Sequence, residues 1–153
     1  MNAPITEAET ILATAIERGR AKNLPYAGEV TPQEAHRLMV AHGAIIVDVR
    51  SAAETNFVGR VPGALLIEWK HWPSGDFNPQ FLPELKRQSG PDDILLFLCR
   101  SAVRSHAAAT TATEAGFTRA FNILEGFEGT LDANDQRGQL GGWRKAGLPW
   151  VQS

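Results

Sequence analysis

Ile94-Leu95-Leu96-Phe97-Leu98-Cys99-Arg100-Ser101-Ala102-Val103-Arg104-Ser105 is the stretch on which the fold turns. Its unbroken apolar run, introduced by Gly90-Pro91-Asp92-Asp93, fits a strand buried on both faces of a parallel sheet. The Ala-rich segment 105–115 that follows is readily helical. Cys99 therefore stands where strand gives way to helix. In parallel α/β folds ligands bind at the carboxyl ends of strands. A loop entering a helix also presents backbone N–H groups and the positive end of the helix dipole.

Three more apolar runs flank this one, at 44–49, at 64–67 after the turn Val61-Pro62-Gly63, and at 119–123 after Gly116. Short strands alternating with helices predict a parallel α/β sheet with right-handed crossovers. Upstream, Ile5, Ala8, Ile11, Leu12, Ala15 and Ile16 recur at helical spacing and predict an amphipathic helix over about 6–21. Thr31 as N-cap, Pro32 as first helical residue and Glu34 at the third position open a helix to about Ala41, closed by Gly43. The Gly-rich tail 126–153 reads as irregular, with a short helix near Trp143. No internal repeat appears.

The chain has 153 residues, enough for one well-packed domain. Lys and Arg number 15 against 17 Asp and Glu, so no basic excess points to nucleic acid as the partner. No apolar run approaches the roughly 18 residues that would span a membrane. The N-terminal segment, with Glu7, Glu9 and Glu17, lacks the basic start and apolar core of a signal peptide, which makes the cytoplasm the expected compartment. A single cysteine excludes an internal disulfide and any multi-Cys metal site. No cofactor is expected, and His36, His42, His71 and His106 show no metal-ligand spacing. The segment 132–137 has Arg137 where a calcium loop needs Gly, so a calcium site is rejected.

The surroundings of Cys99 argue against an inert thiol. Arg100 and Arg104 add two charges at a helix N-terminus, an environment expected to stabilise a thiolate, the reactive form. The same pocket suits a small dianion such as thiosulfate.

Cys99-Arg100-Ser101-Ala102-Val103-Arg104-Ser105 resembles the active-site loop of rhodaneses, usually Cys-Arg-x-Gly-x-Arg-Ser. Asp48-Val49-Arg50 with downstream Glu54 resembles the family's Asp-Val-Arg segment, and Gly59-Arg60-Val61-Pro62-Gly63-Ala64 its Gly-His-Ile-Pro-Gly-Ala element. Segments 122–127, 142–143 and 147–150 are similar to a bacterial single-domain subgroup. The resemblance covers about 28–150. It implies a rhodanese-like domain over 28–153, with a central five-stranded parallel sheet flanked by helices, preceded by a helical extension at 1–27. It also implies a sulfurtransferase in which Cys99 takes a sulfane sulfur from a small anionic donor such as thiosulfate. Cys99 would then hand that sulfur to cyanide, a thiol or a partner protein. The loop residues Arg100, Ser101, Ala102, Val103, Arg104 and Ser105 would bind the substrate. The alternative is a sulfur-relay or protein-binding module without turnover of its own. Two departures stand out: Ala102 replaces the loop Gly, which makes a left-handed conformation cost about 1 kcal/mol, and Arg60 replaces the His.

Cys99 and Arg104 are separated by four residues, whereas phosphatases resembling this fold have five and commonly His before the Cys, here Leu98. The shorter loop favours one sulfur atom over a tetrahedral phosphate. Asp48, Arg50 and Glu54 read as supporting residues, with Arg50 and Glu54 paired four apart on a helical turn and Asp48 bracing the loop. Arg104 either aims at the pocket or packs at its rim. Ser105 either donates to the sulfur anion or caps the helix, capping being the preferred reading. Trp69 and Trp72 either line the pocket mouth or pack, and His106 reads as a surface residue.

Overall fold

The computed structural model describes residues 6–152. In chain order the elements are α1 Glu7–Ala21, β1 Gly28–Val30, α2 Pro32–His42, β2 Ile45–Asp48, α3 Ala52–Phe57, β3 Leu65–Leu66, α4 Phe81–Gln88, β4 Leu95–Leu98, α5 Val103–Glu114 and β5 Ala120–Ile123. The strands form one parallel sheet in the order β1-β5-β4-β2-β3. Ile5, counted in the apolar stripe of α1, lies outside the described residues.

The run Leu95–Leu98 is apolar throughout because both of its faces are covered. Leu95, Phe97 and Cys99 join a cluster with Phe81 and Leu85 of α4 and Ala108, Ala109 and Ala112 of α5. Leu96 and Leu98 point the other way, into a cluster with Ala15, Leu38, Phe127 and Trp143. A side chain of Leu or Phe buried this completely contributes about 1.5–3 kcal/mol. The capping signals act as written: Thr31 and Glu34 form a capping box and Gly43 closes α2 at φ 72°. Helix α1 lies against β1 through small residues; a Cβ on Gly28 would meet the Ala15 carbonyl oxygen at 2.0 Å.

The strand order positions the site. From β2 the chain moves outward to β3, while from β4 it moves the opposite way to β5. The chain therefore diverges between the carboxyl ends of β2 and β4, which is where open α/β sheets bind ligands. Two elements had no sequence-based expectation, β1 and α4. Around Trp143 the chain forms turns rather than the expected short helix, as its glycines at positive φ dictate.

Candidate active site

Cys99 follows β4 directly, and α5 begins only four residues later. Ala102 closes the intervening loop in the left-handed region, φ 78° and ψ 5°, the conformation that a Gly would take without strain. The loop carbonyls turn away from the helix: Phe127 N–H donates to Cys99 O at 2.8 Å and Glu128 N–H to Arg100 O at 3.0 Å. Gly126 is obligatory beneath them, since a Cβ there would lie 2.5 Å from Arg100 O. The N–H groups of Arg100, Ser101 and Ala102 are left without a protein acceptor among the described residues. Those of Val103 and Arg104 open the helix, where no intrahelical acceptor exists. The loop is thus a cradle of donors for an anion.

Cys99, at the start of that loop, is buried, at 1% exposure. Its Sγ is 3.3 Å from Ser105 Oγ, which donates to Asn122 Oδ1 at 2.6 Å. Asn122 Nδ2 in turn donates to Ala102 O at 3.1 Å and to Tyr26 Oη at 3.4 Å, and Tyr26 Oη contacts His106 Nδ1 at 2.8 Å. Asn122 therefore holds both the strained Ala102 peptide and the hydroxyl beside the sulfur. Burial raises the Tyr26 pKa. Ser105 does not cap α5, contrary to the preferred sequence reading. The N-cap is Ala102, so Ser105 falls in the first turn and faces inward.

The expected Arg50–Glu54 pair is absent. Helix α3 starts at Ala52, so Arg50 precedes it and the i,i+4 geometry never forms. Arg50 instead turns inward onto Asp48, with Nη2 at 2.7 Å from Oδ2, and donates to Gly59 O at 2.8 Å. Both side chains are fully buried. Arg50 Nη1 has no hydrogen-bond partner, but the guanidinium stacks 4.2 Å from the Phe127 ring centroid. Among the described residues Asp48 makes no hydrogen bond to the loop itself. Its support is indirect, through Arg50 and Phe127 to the N–H that holds Cys99 O.

Glu54 reaches across to the loop and clamps Arg104 through two bonds, Nη1 to Oε1 at 2.6 Å and Nη2 to Oε2 at 2.9 Å. Burial works to raise the Glu54 pKa, but Arg104 and the Ser51 backbone and hydroxyl outweigh it and hold the carboxyl at about 2. Arg104 is pushed above its usual value, first by the hydrogen bonds and charge of Glu54 and more weakly by Cys99 and Asp48.

A cleft of about 800 Å³ opens over this loop, walled by Ser51, Glu54, Phe57, Trp72, Arg100 and Arg104 on one side. Cys99, buried at the start of the same loop, is not itself among the lining residues. Trp72 lines the mouth, whereas Trp69 packs edge-on to Phe77 and Phe81. His106 serves the Tyr26 end of the network, and Arg60 pairs its backbone with Val151. Among the described residues no group of three His, Cys, Asp or Glu gathers to hold a metal, and no helix is long and apolar enough to cross a membrane. The segment 132–137 is a turn: Asp132 Oδ1 accepts from Asn134 N–H and Gln136 N–H. The roles of Asn122 and Tyr26 at the site, and the place of segment 128–137 in the cleft lining, have no counterpart in the sequence reading. A lone Asn inside the apolar run 120–123 was the available signal.

The family model for the rhodanese-like domain matches residues 31–133. The chain belongs to the rhodanese-like family. Among solved structures it is similar to Rv0390 from M. tuberculosis, at 44% identity and a TM-score of 0.75, covering 84% of this chain and 99% of that one. The uncharacterized protein RP600 homolog of Rickettsia rickettsii is 32% identical over 124 residues, 76% of this chain and 91% of the relative. Thiosulfate sulfurtransferase 16, chloroplastic, of Arabidopsis thaliana is 30% identical over 117 residues, 75% of this chain and 85% of that protein. The rhodanese-like sheet thus carries the Cys99 loop, with α1 lying ahead of the matched residues.

Proposed function

We propose that this protein is a sulfurtransferase that moves a sulfane sulfur through a persulfide on Cys99. The observation that carries the reading is the lone thiol lying directly beneath unpaired loop N–H groups, with two arginines at its rim. The Cys99 thiolate attacks the sulfane sulfur of thiosulfate, a new S–S bond forms, and sulfite leaves with the electron pair of the old one. The charge of the departing dianion and of the persulfide's terminal sulfur falls where the N–H groups converge. A thiolate or cyanide then attacks that terminal sulfur, and Cys99 leaves as thiolate.

The depth of the sulfur gives the second step its direction. Cys99 is buried, at 1% exposure, while a terminal sulfur about 2 Å further out reaches toward the cleft. An incoming nucleophile meets the outer atom first, which favours transfer over a mixed disulfide on the enzyme. The four-residue gap between Cys99 and Arg104 suits this single atom. A lone thiol without an internal disulfide partner suits a reducing compartment, the cytoplasm.

The direct test is steady-state transfer from thiosulfate to cyanide, followed as thiocyanate. The wild-type protein turns over, and Cys99→Ser is folded and inactive. Turnover retained by Cys99→Ser would end the proposal. A protein that loads one sulfur but does not turn over with cyanide or thiols would be a relay module instead.

A further inference from the structure

The cleft over Cys99 is far larger than an inorganic sulfur donor requires. About 800 Å³ lies in the range of pockets that hold organic molecules. Part of its lining comes from the chain after β5, at Glu128, Leu131, Asp135 and Arg137. The family-model match ends at residue 133, so Asp135 and Arg137 lie just beyond it.

The charges in the cleft do not cancel evenly. Glu54 is committed to Arg104 at 2.6 Å, and Glu128 faces Arg144 at 3.9 Å, a residue outside the cleft. Arg100 and Arg137 form no ion pair among the described residues, nor does Asp135. Arg137 is nevertheless held: its Nη1 donates to Gly129 O at 2.8 Å, which leaves Nη2 and Nε free to fork onto a planar anion. The turn at Asp132 and the bond from Gly138 N–H to Glu128 O at 2.7 Å fix the segment on both sides. The same lining includes the apolar side chains of Phe57, Trp72 and Leu131, which are 81%, 71% and 46% exposed.

We infer that the sulfur acceptor is a small organic thiol bearing a carboxylate, and that Arg137 is the residue that selects it. This rests on the sulfurtransferase reading and deepens it. The thiol meets the persulfide near Arg100, its carbon body lies on the aromatic wall, and its carboxylate reaches Arg137. Asp135 on the same wall disfavours a phosphate dianion, which would bring two negative charges beside a carboxylate. The transfer balances without further reactants: the acceptor thiolate attacks the terminal sulfur, the Cys99 S–S bond breaks toward Sγ, and the product is the acceptor's persulfide.

The test loads Cys99 with thiosulfate, removes the excess, and follows discharge by intact mass with two thiols of similar size. One is 3-mercaptopropionate and the other 2-mercaptoethanol, each rate divided by its thiolate fraction. Wild-type protein prefers the carboxylate thiol in kcat/KM, mostly through KM. In Arg137→Gln the ratio of the two rates falls by about tenfold or more, and Arg137→Lys recovers part of it. A wild-type ratio near one overturns the inference whatever the variants do, as does a ratio that Arg137→Gln leaves unchanged. Failure of the wild type to load sulfur would instead remove the sulfurtransferase reading itself.

Discussion

Replacing Glu54 by Gln separates the charge of the Glu54–Arg104 clamp from its shape. In the folded protein the Glu54 carboxyl titrates at about 2 against an ordinary 4.5. Between those values the unfolded chain binds the proton and the folded one does not, so stability rises with pH across the window. At about 1.4 kcal/mol per pH unit this is worth about 3 kcal/mol. Both side chains keep about a quarter of their surface in water, 25% for Arg104 and 22% for Glu54, and screening lowers the figure to about 2 kcal/mol. The contribution is fully present above about pH 4.5 and is lost as the pH falls to about 2. Urea unfolding of wild type and Glu54→Gln across this range checks it. At neutral pH the wild type is more stable by about 2 kcal/mol; the gap narrows below about pH 4.5 and closes near pH 2. A gap that stays constant with pH would show that Glu54 acts through packing and capping alone, and would refute the electrostatic reasoning.

Other perturbations test the loop. Ala102→Gly relieves the left-handed residue and should leave the Tm unchanged or raise it by about 2–4 °C; a clear fall would mean the loop is unstrained there. Asn122→Ala frees the Ser105 hydroxyl and the Ala102 peptide together; it should cost about 1–3 kcal/mol of stability and slow persulfide formation more than it changes the KM for thiosulfate. Stability lost with kinetics intact would reduce Asn122 to a structural role. Wild-type protein should show no appreciable aryl phosphate hydrolysis, and one Gly inserted after Ala102 should abolish sulfur transfer; efficient Cys99-dependent phosphate release would contradict the loop-length argument.

Much of the architecture was legible because its signals were local. The apolar runs marked β2, β4 and β5, the Thr31-Pro32-Glu34 box marked α2, and the Ala at the family's Gly position marked the left-handed residue. What escaped depended on partners distant in sequence. Helix α4 lacks a side-chain cap at Gln80 and carries Pro83 in its first turn, and β1 has only three residues, stabilised by pairing with β5. The Arg50–Glu54 expectation failed because spacing alone does not say where a helix begins. A start two residues later, at Ala52, turned Arg50 into the core and released Glu54 to Arg104, 50 positions away. Ser105 was assigned to capping for the same reason. With Ala102 as the cap it faces Cys99 and Asn122, a contact across the sheet that no local pattern encodes.

The central claim is a sulfur atom carried on Cys99, and intact-mass measurement after incubation with thiosulfate reads it most directly. The account predicts a gain of one sulfur atom in the wild type, lost on addition of cyanide or excess thiol, and no gain in Cys99→Ser. A folded wild-type protein that gains nothing, or a Cys99→Ser protein that gains the same mass, would contradict it.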